Sequence, residues 1–390
     1  MDQFPAPPYP GVPVARQTRG VGRGALRWAL GTLAVLAALL AGLITLWMIG
    51  YETGAVPFLA GLFAAAMPVP VYVTLVLWLD RYEPEPPLLL AAAFFWGALI
   101  AAFFAIVINS VGVALVTLIA GDAMGDTYGL VVSAPVVEET AKALVLFALF
   151  FWKRDEFDNV TDGVVYAAMV GLGFAMTENI KYYGAAVAEE NAIGVFIVRG
   201  LFSPFAHPLF TGMTGVGLGL AAQSVRRSVK VLAPAAGFAA AVVLHAGWNA
   251  SARMTALNED GAYVLATYFL VMMPTFFGML LVIGLSLKSE GRVLREHLRP
   301  EVSRGLLSEA EYLRICSLTG RTGSTCRALL DGGLSHWRAR SRLNRAASEL
   351  AFHRSRVARG VHPRDDESAR RDADYVQQIH RLRLELEKKG

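Results

Sequence analysis

The stretch that decides the fold is APVVEETAKALVLFALFFW, residues 134–152. It opens with Pro135, sets Glu138, Glu139 and Lys142 within one and a half helical turns, and then runs to Trp152 with no further charge. Ten apolar residues after three ionisable ones suit a buried helix whose polar end must be sheltered. The neighbouring runs are longer and more apolar still, and a bilayer span takes ~20 apolar residues. Only 17% of the chain is charged while 55% is hydrophobic, against about 25% charged for an ordinary soluble domain. The apolar runs fill residues 25–287. The expected fold class is therefore all-α: a polytopic transmembrane helical bundle of about eight helices, followed by a cytoplasmic helical tail.

Outward from that stretch, spans are expected near 25–50, 55–79, 87–120, 127–152, 161–185, 194–222, 229–250 and 263–287. The third run is too long for one straight crossing and must tilt, kink or extend. Residues 1–24, rich in Pro, Gly and Arg, read as a disordered N-terminal arm. The run that follows is too long for the apolar region of a signal peptide. Residues 25–287 form the expected membrane domain and 288–390 a basic helical tail, with 22 Lys and Arg against 14 Asp and Glu. Within it, Ser308–Glu311 has the pattern of a capping box, and 336–358 and 366–388 read as amphipathic helices. The two cysteines, Cys316 and Cys326, fall in this tail and do not suggest a disulfide framework. No nucleic-acid motif is present.

Short loops set orientation through their Lys and Arg. Arg81, Lys153, Arg154, Arg226, Arg227, Lys230, Lys288 and Arg292 follow the even-numbered spans. The alternate loops carry Glu52, Asp122, Asp126, Glu189, Glu190, Glu259 and Asp260, with Arg253 as an exception. Both termini are expected in the cytoplasm of a multi-pass protein of the cell membrane.

Ionisable side chains in a span cost about 2.5–3.5 kcal/mol each on insertion scales, so they mark function by default. Four consecutive spans carry them. Glu138, Glu139 and Lys142 lie on the fourth, Glu178 and Asn179 on the fifth, His207 and Thr211 on the sixth, His245 and Asn249 on the seventh. Spacings of three and four residues place Lys142 within reach of both glutamates, His207 above Thr211, and His245 above Asn249. Lipid favours turning these stripes inward around trapped water. A carboxylate in such a cavity can take a proton from water. Two histidines can bind a metal or polarise a carbonyl. HExxH is absent, so this is not a zincin helix. The same buried set would also serve a proton- or ion-coupled transporter, although no internal repeat is evident. A non-catalytic scaffold acting through the basic tail is the other alternative.

The ordered motifs EExxK at Glu138, Glu139 and Lys142, FxxxEN at Phe174, Glu178 and Asn179, HPLFT at 207–211, and HxxWN at His245, Trp248 and Asn249 resemble the PrsW family of intramembrane proteases. That family is distantly similar to the CAAX-prenyl endopeptidase and Abi group. The resemblance covers roughly residues 55–287. It implies cleavage of single-pass, membrane-anchored substrates such as anti-sigma factors, with the bilayer as the working medium. It further implies that Glu138 activates water while His207, His245 and Asn249 support the oxyanion. Glu139 joins this catalytic set; Lys142, Glu178, Asn179 and Thr211 support it. If a metal is used, zinc on Glu178, His207 and His245 is expected; a glutamic-type mechanism stays open.

Overall fold

The computed structural model describes residues 21–189, 192–360 and 364–387. Most of the expected N-terminal arm, and Glu190, lie outside the described residues. Every regular element among those described is helical. In chain order they are α1 (Val21–Thr53), α2 (Ala55–Ala66), α3 (Val69–Leu79), α4 (Pro87–Phe95), α5 (Ala102–Ala120), α6 (Asp122–Tyr128), α7 (Ala134–Trp152) and α8 (Val160–Ala188). There follow α9 (Ala192–Phe196), α10 (Ala206–Gln223), α11 (Arg227–Asn258), α12 (Ala262–Thr267) and α13 (Met273–Ser303). The tail adds α14 (Glu309–Ile315), α15 (Leu318–Ala358) and α16 (Asp366–Glu387).

Six helical stretches are long and apolar enough to cross a membrane: Trp28–Thr53, Ala55–Leu79, Pro87–Ala120, Val160–Ala188, Arg227–Asn258 and Ala262–Ser303. The protein is a polytopic helical membrane protein. The other two expected spans are present as α7 and as α9 with α10. They fall short of the six because α7 carries three charges near its start and Ser203–Phe205 breaks the path from α9 to α10. The long third stretch is accommodated by a wider π-helical turn at Trp96–Ala101. Such turns free backbone carbonyls and cluster at functional sites. Three more occur, at Gly129–Ser133, Ile197–Phe202 and Tyr268–Met272.

The organising element is α8. Its apolar window is 94% buried, whereas the windows of the other five apolar stretches are mostly turned outward. A helix apolar on every face belongs in the middle of a bundle. Glycines let the neighbours close on it. A Cβ at Gly173 would stand 2.0 Å from the Phe94 carbonyl oxygen, and one at Gly163 would stand 2.1 Å from that of Gly215. The helix starts at an Asn159 capping box closed by Asp162, which fixes its N-terminal end.

The last membrane helix does not stop near residue 287. Helix α13 continues as one helix to Ser303 and carries the tail with it. Its buried Leu294 and Leu298 join a core shared with Leu343, Ala347 and Leu350 of α15 and Ile379 of α16. The Ser308 capping box forms as expected. Helix α15 begins well before position 336, at Leu318, and bends at Gly333, whose φ is 64°. The turn at Asp80–Pro86 is rigid because Asp80 Oδ2 accepts from the Glu85 amide at 2.7 Å. The tail grips that turn. Arg321 donates to the carbonyls of Arg81 and Tyr82 at 2.8 and 3.2 Å. Arg356 pairs with Glu83 at 3.1 Å and Asp158 at 2.9 Å.

Candidate active site

Helices α7, α8, α10 and α11 bring the expected polar residues to one buried place. Pro135 follows directly on the π-helical turn Gly129–Ser133 at the start of α7, and Glu138, Glu139 and Lys142 occupy the next turn and a half. Trp96, in the first π-helical turn, donates from Nε1 to the Ala141 carbonyl at 2.9 Å and holds this segment in place. On α10, His207 is followed by Pro208, again in the first turn. Gly171 of α8 lets that turn in: a Cβ there would meet the Pro208 nitrogen at 2.7 Å.

Lys142 is the hub. Its ammonium is fully buried, 2.8 Å from Glu139 Oε1, 2.9 Å from His207 Nδ1, 3.7 Å from Glu138 Oε2, and over the Phe174 ring. An ammonium only donates, so His207 Nδ1 accepts, and Nε2–H is left to donate to Glu178 Oε2 at 2.6 Å. By the same reasoning His245 donates from Nδ1–H to Glu139 Oε1 at 3.1 Å. Its Nε2 lone pair then faces Glu138 Oε2 at 3.8 Å. Each imidazole is thus aimed by a carboxylate, with its other nitrogen turned to the centre. The rings stand 5.2 Å apart at 81°, with Phe210 stacked on His245.

The two neighbouring glutamates differ. Both oxygens of Glu139 are hydrogen-bonded: Lys142, His245 and the Thr211 hydroxyl, the last at 2.9 Å, all donate to it. Glu138 is as deeply placed, but its Oε2 has no hydrogen-bond partner among the described residues. Glu138 and Glu178 both line a groove of about 640 Å³ between α5, α8 and the start of α7. The groove runs past Ala105, Asn109 and Val113 of α5 toward Asp126, Lys181 and Arg253.

Glu138 Oε2, which makes no hydrogen bond among the described residues, and the His245 Nε2 lone pair suit a cation, and the Lys142 ammonium from which His207 Nδ1 accepts supplies one in this structure. Glu138, His207 and His245 each offer one donor atom, and those atoms lie within 4.8 Å of one another. Two His and one Glu is a donor set of catalytic zinc sites, which keep a further position open. The expected third ligand, Glu178, is engaged elsewhere: it accepts from His207 Nε2 and from Arg199. Its place is that of the outer carboxylate that orients a liganding histidine. Asn249 donates its amide to the Leu130 carbonyl at 2.9 Å, inside a π-helical turn. Asn179 accepts from Arg199 Nε at 2.7 Å.

Sequence reading passed over Arg199. It stands in the apolar run 193–202 of the expected sixth span. The rule that marks Glu138, an ionisable group where lipid should be, marks it too. It pairs with Glu178, holds Asn179 and lies over the Tyr182 ring.

A family model described as PrsW family intramembrane metalloprotease matches residues 85–279, half of the chain and all four polar helices. The chain belongs to the PrsW family. It is 34% identical over 148 residues to Protease PrsW of Geobacillus kaustophilus and 35% identical over 114 residues to Protease PrsW of Oceanobacillus iheyensis. Those matches cover 38% and 29% of this chain, and 60% and 49% of the relatives' own length. No solved structure matches the chain. The shared region holds the Glu138–Lys142 turn and both histidines, while the tail from 288 onward lies beyond it.

Proposed function

We propose that this protein is an intramembrane endopeptidase that hydrolyses a peptide bond of a single-pass membrane protein, with Glu138 as the residue that takes a proton from the attacking water. The observation that carries the assignment is that Glu138 lines the open groove while its Oε2 makes no hydrogen bond among the described residues. Both oxygens of Glu139 beside it already accept hydrogen bonds. A general base must have an oxygen free for the water.

Water held at Glu138 Oε2 lies beside the imidazoles of His207 and His245, whose second nitrogens are anchored by Glu178 and Glu139. Such anchoring fixes ring orientation and leaves the His245 Nε2 lone pair free for a metal or a developing charge, while His207 Nδ1 is held by Lys142. Lys142 stabilises the ionised form of both glutamates of its turn and, by donating to His207, keeps the tautomer unambiguous. When a metal is bound, His207, His245 and one oxygen of Glu138 would hold it, with Lys142 turned off His207 Nδ1 and the second Glu138 oxygen left for the water; the ion, with zinc the natural choice for this set, would polarise the scissile carbonyl and acidify a water. Phe174 and Phe210 pack against the imidazoles and limit bulk water.

The groove, open along α5, takes an unwound segment of the substrate span. Small residues such as Ala102 and Ala105 leave room for its backbone. Its far end reaches Asp126 and Arg253, on the side assigned to the cell exterior by the loop charges, which puts both termini in the cytoplasm. An anti-sigma-like, membrane-anchored protein fits this geometry. The test is co-expression with a tagged single-span reporter in cells. Glu138→Gln should abolish the cleaved product while the protein stays in the membrane fraction; wild-type cleavage by the variant refutes the assignment.

A further inference from the structure

The tail, outside the family match, contains a cavity that the protease reading does not use. It measures about 570 Å³ and lies between α14 and the first half of α15. Arg314, Arg327 and Arg340 line it against a single acidic residue, Asp331, with the Ser324 hydroxyl also at the wall. Arg340 has a buried Nε with no hydrogen-bond partner. Burial and the nearby Arg314 both push its pKa down, against a pull from Glu311. Glu311 is itself held by Arg383 at 3.2 Å. Three arginines lining one cavity with a single carboxylate leave a surplus of positive charge there, which suits a phosphate.

What surrounds the cavity says where the phosphate comes from. Within nine residues at the Gly333 bend, the tail exposes Leu329, Leu330, Leu334 and Trp337, with Leu330 85% accessible. Large apolar side chains grouped beside arginines are the composition of a membrane-surface contact. The first half of α15 also begins at the bilayer: Arg81, two residues past the end of a span, donates to Thr322. A soluble anion would require the cavity but not the apolar rim.

We infer that the bend of α15 docks on the cytoplasmic leaflet, with Leu330, Leu334 and Trp337 in the headgroup–acyl boundary and the phosphate of an anionic phospholipid in the Arg314–Arg327–Arg340 cavity. The docked tail also holds the Asp80–Pro86 turn through Arg321 and Arg356, so lipid composition reaches the membrane domain by a continuous set of contacts.

The test uses the full chain in nanodiscs, with a fluorophore attached at position 330 through Leu330→Cys in a Cys326→Ser background; Cys316 is buried. Lipid-borne nitroxide reports contact with the bilayer. Quenching is expected to be severalfold stronger in phosphatidylglycerol-rich discs than in phosphatidylcholine. The docked-to-undocked ratio should fall about fivefold for each of Arg314→Gln and Arg340→Gln, the contribution of one basic residue near an anionic surface. Leu334→Ser, a change at an exposed position, should reduce quenching without altering the tail's protease resistance. Equal quenching in the two lipids, or no response to the arginine changes, overturns the proposal. Release by millimolar inorganic phosphate at constant ionic strength also overturns it, and would assign the cavity to a soluble anion.

Discussion

Glu138 and Glu139 are adjacent in sequence yet should fail in opposite ways when neutralised. In Glu139→Gln the buried Lys142 loses its 2.8 Å partner, and the bonds from His245 and Thr211 lose a charged acceptor. Hydrogen bonds to a charged group contribute about 1.5–3 kcal/mol each. Removing one partner of a buried ion pair costs about 3–5 kcal/mol, and the neutral amide recovers part of the hydrogen bonding. A net destabilisation of ~3 kcal/mol is the expected result. Glu138→Gln breaks no hydrogen bond at Oε2, and loses the 3.7 Å approach to Lys142 and the 3.8 Å approach to His245, so its cost should be the smaller, about 1 kcal/mol. Activity should divide the other way, with a loss of about 10²–10⁴ for Glu138→Gln as a missing general base. Thermal unfolding of both variants in the same detergent, beside reporter cleavage at a temperature where both are folded, measures the contrast. If Glu138→Gln unfolds as early as Glu139→Gln, or keeps wild-type cleavage, the division of labour drawn from their partners is wrong.

Three more outcomes follow from the geometry. Purified protein should bind about one equivalent of zinc, and Glu178→Gln should weaken that affinity about 10–100-fold by releasing His207 Nε2; elemental analysis after graded chelation reads it, and unchanged affinity removes Glu178 from the orienting role. Gly171→Val should cost about 1–3 kcal/mol through overpacking and reduce cleavage by displacing His207, since even a Cβ would meet Pro208; a fully active variant would show that the α8–α10 contact does not position the histidine. Burial, joined by Asp80, pushes the Glu85 carboxyl up to about 10 despite the Tyr166 hydroxyl bonded to it. The folded state therefore keeps a proton that the unfolded chain gives up near the ordinary carboxylate value. This contribution to stability is full in acid and declines as pH rises from that value toward 10. Glu85→Gln should raise the unfolding temperature more at pH 8 than at pH 5, and an equal change at both contradicts the assignment.

The sequence by itself determined the class of fold and gathered most of the polar residues that the structure brings together. Apolar runs of bilayer length have one solution in lipid, the helix. Polar stripes at three- and four-residue spacing on successive helices have one favourable direction, inward. Glu138, Lys142, Glu178, His207 and His245 could therefore be collected without coordinates. Roles were another matter, because one helix turn presents Glu138 and Glu139 about 100° apart, and which side meets Thr211 and His245 depends on how α7 rotates against α10 and α11. That rotation is set by close approaches such as Gly171 to Pro208 and by the Trp96 bond to Ala141, contacts between residues tens of positions apart. The same holds for Glu178, whose engagement by Arg199 needs the chain to return across 21 residues. It holds for the tail too, where composition and spacing suggested a basic helical tail, and only packing revealed α13 running on into a shared core. Local spacing fixes what a helix offers; which neighbour receives it is decided by shape complementarity over the whole bundle.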